Sequence, residues 1–359
     1  MGVIVLAVLL ILGIVTLMNS IPLSIKTIYG YSRHYLGMTP RGDAEQTPLI
    51  RAKIEKESPY EIDRILTARA DDCEVKSIVG GWPFVILGLS QPDMKYYIER
   101  IGGGELTGRL PEPGKPEILV SEPILRNLKK KMGDTILGPE ERNAFSPLEV
   151  KIVGVIKSET WMMLTSIEYF QAYHFPPIDV LLVFAKNKSD QDAMGVWAEE
   201  AFKGQQARPY AWHLLEQETD SMFRILYSIL NVVIGTLVCV ITLMMGMLIN
   251  IYLSQRIQEF GLLQALGYTK RQMLGRVMLE TILVVFGGWV LGIACGIGLL
   301  LIVKARLMDP NAFALDISDM GSFIYTIPVP MAILAVAAGT IIFKFRGFDP
   351  VGIVERRLA

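Results

Sequence analysis

Cysteine and histidine are scarce: the 359 residues include 3 of each. Only Cys73 lies in a polar part of the chain, because Cys239 and Cys295 sit in apolar runs, so a disulfide scaffold is excluded. His34, His174 and His213 lack the H-E-x-x-H spacing of a zinc protease. No G-x-S-x-G surrounds a serine, and no paired-cysteine metal motif can be assembled from Cys73 alone. A phosphate loop is missing too, since Gly114-Lys115 is followed by Pro116 and position 109 is Arg109, not glycine. These absences remove hydrolase, metalloenzyme and ATPase chemistry from this chain, which reads as non-catalytic. A net charge of −1 leaves no broad basic field, which excludes nucleic acid as a partner. The amino terminus has no Lys or Arg before Lys26 and no A-x-A site, so its apolar run reads as a membrane span in preference to a cleaved signal peptide.

What is present is unevenly spread. The chain is 51% hydrophobic with mean hydropathy +0.38, too apolar for two ordinary soluble domains. Residues 31–224 nevertheless carry 24 Lys/Arg and 29 Asp/Glu, which leaves 11 and 7 for all the rest. A globular body is therefore joined to membrane segments. Four stretches reach the roughly 20 apolar residues that a bilayer core demands: residues 3–21, 225–255, 281–303 and 322–343. The second has no charge over its whole length and as one helix would reach roughly 46 Å, so it must tilt or protrude from a core of about 30 Å. Pro328 and Pro330 near the start of the fourth should kink or reset its first turn.

Orientation follows from basic residues in short loops. Loop 254–276 holds Arg256, Lys270, Arg271 and Arg276, and the tail 344–359 holds Lys344, Arg346, Arg356 and Arg357. The loop between the third and fourth spans has only Lys304 and Arg306, against Asp309, Asp316 and Asp319. This places loop 254–276 and both termini in the cytoplasm and residues 31–224 outside, although Lys26 and Arg33 after the first span point the other way.

The body reads as α+β. Residues 77–89 are rich in strand formers, with Gly80-Gly81 as a candidate bulge, and residues 91–101 form a helix stopped by Gly102. Residues 117–138 read as strand, helix capped by Ser121, turn at Gly133-Asp134 and strand. Residues 148–156 alternate as a half-buried strand. Residues 180–186 form a fully apolar strand, then a helix with Ser189 and Asp192 as capping box and its end at Gly204. Lys129–Lys131 reads as a solvated helix end, and Trp82, Trp161, Trp197 and Trp212 as core or membrane-interface residues.

The most informative stretch is residues 254–273, SQRIQEFGLLQALGYTKRQM. Ile257, Phe260, Leu262, Leu263 and Leu266 alternate with polar residues as on a short amphipathic helix, which stops at Gly267 and restarts at Lys270-Arg271. Read from the residues alone, it is either a lipid-surface turn or a docking element for a cytoplasmic protein. Glu259-x-Gly261-x-x-x-Ala265-Leu266-Gly267, followed by Lys270-Arg271 and by Glu280 at the head of the next span, resembles the signature of FtsX/MacB-type (type VII) permeases, subunits of ABC transporters. The order of parts is similar as well: one span, a large extracytoplasmic domain, three spans. Residues 120–138 and 151–156 resemble the family's periplasmic domain, and 349–356 its closing segment. The family usually has Arg where Gln264 stands, and it commonly places a cytoplasmic amphipathic helix before the first span, whereas this chain enters the membrane at once.

The resemblance implies a four-helix membrane protein with an α+β domain inserted after the first helix: residues 1–30 the first helix and its extension, 31–224 the MacB-like domain, 225–359 the FtsX-like region. It implies a partner ATPase that holds ATP and Mg, a second permease copy, membrane lipids around the spans, and an extracytoplasmic partner protein. Glu259, Phe260, Gly261, Leu263, Ala265, Leu266, Gly267, Lys270 and Arg271 are then the ATPase-coupling residues, and the long second helix the lever. Gly288, Gly292 and Gly296 form two overlapping G-x-x-x-G steps for close helix packing, within the chain in preference to between subunits. Asn231 and Asn250 should bond across helices, and Met222, Met244, Met245 and Met247 read as lipid-facing filler sooner than as a cargo lining. Export or extraction of an amphiphile is the function so implied; a subunit that mechanically switches an envelope enzyme is the alternative, and a membrane receptor without an ATPase the third reading.

Overall fold

The computed structural model describes residues 1–141, 144–173 and 177–346. His174 and the tail from 347, with Arg356, Arg357 and the closing segment, lie outside the described residues. The helices are α1 (Gly2–Ile28), α2 (Gln46–Glu57), α3 (Gln91–Arg100), α4 (Glu122–Leu128), α5 (Ile167–Tyr173), α6 (Gln191–Ala201), α7 (Trp212–Gln255), α8 (Ile257–Ala265), α9 (Lys270–Val303), α10 (Met320–Ile324) and α11 (Pro328–Arg346). The strands are β1 (Leu36–Thr39), β2 (Ile62–Ser77), β3 (Gly80–Leu89), β4 (Leu106–Gly108), β5 (Glu117–Ser121), β6 (Thr135–Leu137), β7 (Val150–Ile156), β8 (Met163–Ser166), β9 (Asp179–Ala185) and β10 (Arg208–Tyr210). Two compact units result. One gathers Ser20–Phe223 with Ala305–Leu315; the other gathers Met1–Asn19, Arg224–Lys304 and the segment from Asp316.

The first unit is built on one mixed sheet with strand order β10-β1-β9-β2-β3-β8-β5-β7-β4, and β6 paired on β7. The β3–β8 and β5–β7 pairs are parallel and the others antiparallel. β9 is apolar from Val180 to Ala185 because it is flanked by β1 and β2 and covered on both faces. On one face, Trp161, Phe84, Tyr31, Tyr35, Tyr97 and Phe184 form an aromatic core. On the other, α2 and α6 bury Ile50, Ile54, Met194 and Ala198 against Leu36, Leu181 and Val183.

Several local expectations change in the folded chain. Gly80-Gly81 is not a bulge: it opens β3 after a tight hairpin turn, and Gly80 has the φ of +119° that a side chain would resist. Ser121 precedes α4 without capping it, because its hydroxyl accepts the Met162 N–H at 3.0 Å. The Ser189/Asp192 box does not form either; Ser189 bonds to Asp190 instead. Gln191 anchors that end of α6, accepting the Ala185 N–H at 2.9 Å and donating to the Val183 carbonyl at 3.2 Å. α6 itself ends at Ala201, ahead of Gly204 in its positive-φ turn.

Among the described residues, four helical segments are long and apolar enough to cross a bilayer, Gly2–Ile28, Trp212–Gln255, Lys270–Asn311 and Met320–Arg346, and the greater part of each falls in the second unit. α7 has 44 residues, roughly 66 Å of helix, far beyond a hydrocarbon core of about 30 Å. The fourth segment breaks between α10 and α11, where α11 starts on Pro328, a residue whose missing N–H is harmless in a first turn. α1 is enclosed, with Ile4, Val8, Ile11, Leu12 and Val15 at most 1% exposed. The reason is the glycine face of α9. A Cβ on Gly288, Gly292 or Gly296 would stand 3.1 Å from Ile4, 2.7 Å from Val8 or 2.8 Å from Leu12, so bare backbone lets the two helices close.

Polar ties are few. Trp289 donates its indole N–H to Thr326 at 3.0 Å, and Asn19 donates to Asp319 at 2.6 Å. Asn250 of α7 accepts from Lys344 of α11 at 2.7 Å, a bond across helices, whereas the Asn231 side chain is exposed. Met245 joins the helix core, while Met222, Met244 and Met247 are exposed.

Candidate coupling site

α8 is a nine-residue helix with two apolar faces. The inner face buries Phe260, with Ile257 and Leu263 half-buried, on a cluster of Ile249 and Leu253 from α7, Met273 and Val277 from α9, and Ile341 and Phe345 from α11. The Phe260 and Phe345 rings sit 5.2 Å apart. The outer face exposes Leu262 at 65% and Leu266 at 70%, together with Glu259 and Ala265. Spacing of three and four residues separates the faces, so an ordinary amphipathic helix would need only the first of them. Apolar residues on the second are unexplained by packing within the chain.

The ends of α8 are fixed by local chemistry. Gly267, at φ +95°, donates to the Gln264 carbonyl and Tyr268 to the Leu263 carbonyl, a Schellman closure that a β-carbon would strain. Two residues later Thr269 caps α9 in a capping box with Gln272. At the other end, Arg256 donates to Glu259 at 2.7 Å and to Glu280 of α9 at 2.9 Å, and also to the Tyr252 hydroxyl. Hydrogen bonds to Glu259 and then Glu280 push the guanidinium pKa further above its already high value. Arg276 approaches the same Glu280 at 3.5 Å. Lys344 ties the end of α7 through Asn250 and through Ser254 at 2.5 Å.

Each coupling residue read from the sequence now has a place. Glu259, Ala265, Leu266, Gly267, Lys270 and Arg271 are exposed, Gly261 is half-buried, and Phe260 and Leu263 face inward and seat the helix. Gln264, where the family usually has Arg, is half-buried, and its Oε1 is without a hydrogen-bond partner among the described residues. The Arg256–Glu280 bond spans 24 positions; the motif includes Glu280 but gives no sign that Arg256 is its partner. Its signal was a lone acidic residue inside an apolar run, which needs a partner of opposite charge. Among the described residues no group of three or more His, Cys, Asp or Glu stands close enough to hold a metal ion.

Residues 226–350, about a third of the chain, match the FtsX-like permease C-terminal family. No curated protein matches the chain. Among solved structures, similarity is found to the periplasmic region of MacB from Actinobacillus actinomycetemcomitans, with 10% identity, TM-score 0.30, and coverage of 54% of this chain and 95% of that one. The extracellular domain of the noncanonic ABC-type transporter YknZ from Gram-positive bacteria gives 10% identity, TM-score 0.28, and coverage of 49% and 98%. A domain of a permease protein from Porphyromonas gingivalis gives 13%, TM-score 0.26, and coverage of 49% and 86%. The family match takes in α8 with its seat and most of the membrane helices, so residues 226–350 are similar to the C-terminal region of FtsX-like permeases.

Proposed function

We propose that the chain is the non-catalytic permease subunit of an ABC transporter, driven by a separate ATPase that binds ATP and Mg and docks on α8. The observation that carries this reading is the second apolar face of α8, where Leu262 and Leu266 lie exposed beside Glu259 on a helix whose other face is already seated. Exposed apolar residues rimmed by polar ones mark protein contacts. A pair of such permeases with a pair of ATPases completes the assembly, with α8 and both termini cytoplasmic and the α/β body outside the cell membrane. ATP-driven closure of the ATPases moves α8, and α7, continuous from Trp212 to Gln255, carries the motion toward the body. The work done is export or extraction of an amphiphile such as a peptide, lipoprotein or lipid.

The test uses the full-length protein reconstituted with the ATPase that co-purifies in mild detergent. Leu266→Asp is expected to abolish ATPase binding and coupled hydrolysis while expression and folding persist. Retained ATPase binding in Leu266→Asp would refute docking through α8. Hydrolysis stimulated by an amphiphile, with release of that amphiphile from the donor membrane, supports transport; hydrolysis that responds only to a purified envelope hydrolase would replace transport by mechanical switching.

A further inference from the structure

The connection between α9 and α10 is not a free loop. Its residues Ala305–Leu315 belong to the compact unit of the α/β body. Two buried side chains hold it there, and both bond to backbone. Asn127 on α4 is fully buried, and both of its amide hydrogens are used. Its Oδ1 accepts the Lys76 N–H at 2.8 Å, and its Nδ2 donates to the Lys76 carbonyl at 2.8 Å and to the Asn311 carbonyl at 2.9 Å. β9 pairs with β2 only as far as Arg69, so at Lys76 that edge of β2 is without a strand. The Asn127 amide substitutes for one, exchanging both bonds as a paired residue would, and spends its remaining hydrogen on the loop. The second anchor is Ser24 on α1, 2% exposed, which donates to the Ala314 carbonyl at 3.2 Å and accepts the Ala314 N–H at 3.0 Å.

Between the anchors the loop is tightly determined. Met308 and Leu315 are 6% exposed, and Asn311 closes a turn by donating to Leu307 at 2.7 Å. Ala312 is held at φ +57°, a conformation that a non-glycine residue keeps only where its surroundings impose it. The loop begins in a five-residue π-helical turn, Lys304–Met308, that continues directly from α9. At the opposite end of α9, Glu280 is bonded to Arg256 at the base of α8.

We propose that residues 305–315 are a strap fastened to the body by Asn127 and Ser24 throughout the working cycle, so that displacement of α9 reaches the body through the strap as well as through α1 and α7. The transmission rests on the permease reading above; the fastening does not. Hydrogen exchange of the full-length protein in detergent tests the fastening. The amides of Ala312, Phe313 and Ala314, which donate to Asp309, Met308 and Ser24, are protected. Asn127→Asp, which keeps the shape but turns a carboxylate oxygen toward two carbonyls, raises their exchange about tenfold or more. Ser24→Ala does so chiefly at Ala314, and neither variant changes exchange in β3 or in β2 outside Lys76, whose own amide bonds to Asn127. Exchange at unprotected rates in the wild type, or no response to either variant, overturns the fastening whether or not an ATPase binds. Transmission is tested by oxidising a Ser24→Cys/Ala314→Cys pair in a Cys239→Ser/Cys295→Ser background. With the strap locked, coupled hydrolysis stays within about twofold of the reduced sample; its loss on oxidation means that the contact must open, and overturns the permanent strap while leaving α8 docking intact.

Discussion

The two units of this chain are specified in different ways. The α/β body is held by a ladder of ten strands and by large aromatic residues, and its buried polar side chains bond mostly to backbone. The membrane unit satisfies its backbone within helices, as a bilayer requires, and leaves selection to shape and a few polar ties. Those ties include Asn19–Asp319, Trp289–Thr326, Lys344–Asn250 and Arg256–Glu280, and the last two flank α8. The lesson is that apolar helices are placed by steric fit along their length and by a few charged and polar bonds near their ends.

This contrast can be broken at defined positions. The largest effect is expected in the body core, where Trp161→Ala removes a side chain 1% exposed and should cost about 3–5 kcal/mol, read as lost thermal stability in detergent. Gly292→Leu comes next, because even its Cβ meets Val8 at 2.7 Å; overpacking should cost roughly 1–3 kcal/mol, whereas Gly298→Leu, with nothing within 4 Å, should be near neutral. Similar losses for both glycines would show that close approach of α1 and α9 is not what the glycines provide.

A third substitution, Arg256→Ala, unties Glu259 and Glu280 in one step. Exposed ion pairs contribute about 0–1 kcal/mol, so stability should hardly change while coupled ATPase activity falls. Arg256→Lys, with its single point charge, should restore only part of that activity. The smallest effect concerns pH. Arg109 bonds Glu117 at 2.6 Å and holds its carboxyl below the ordinary value. A depressed folded pKa means stability that is present above the unfolded value of roughly 4.3 and is lost as pH falls through the folded one. Glu117→Gln should therefore flatten the acid limb of the unfolding midpoint, and an unchanged limb would exclude this pair as its source.

Legibility in the sequence followed the same division. Spans, the glycine face of α9 and the stop at Gly267 were readable because each is a local pattern whose physics is complete within one helix or turn. β7 and β9 were readable from alternation and from an unbroken apolar run. β2 was missed although it has 16 residues, since its charges disguise a burial pattern that depends on β9 at one end and β3 at the other. The Ser121 and Ser189 caps failed because a hydroxyl goes to the best partner in space, and for Ser121 that partner is Met162. At the candidate site, the exposed residues were visible as a motif, while the division into a seated and a free face of α8 required α7, α9 and α11 to be in place.

The central claim is that the free face of α8 meets a cytoplasmic protein. Leu266→Cys in the Cys239→Ser/Cys295→Ser background, exposed to a membrane-impermeant maleimide, tests it most directly. Labelling is predicted only after cells are opened, and to be blocked when the ATPase is bound; labelling in intact cells would place α8 on the wrong side of the membrane and contradict the account.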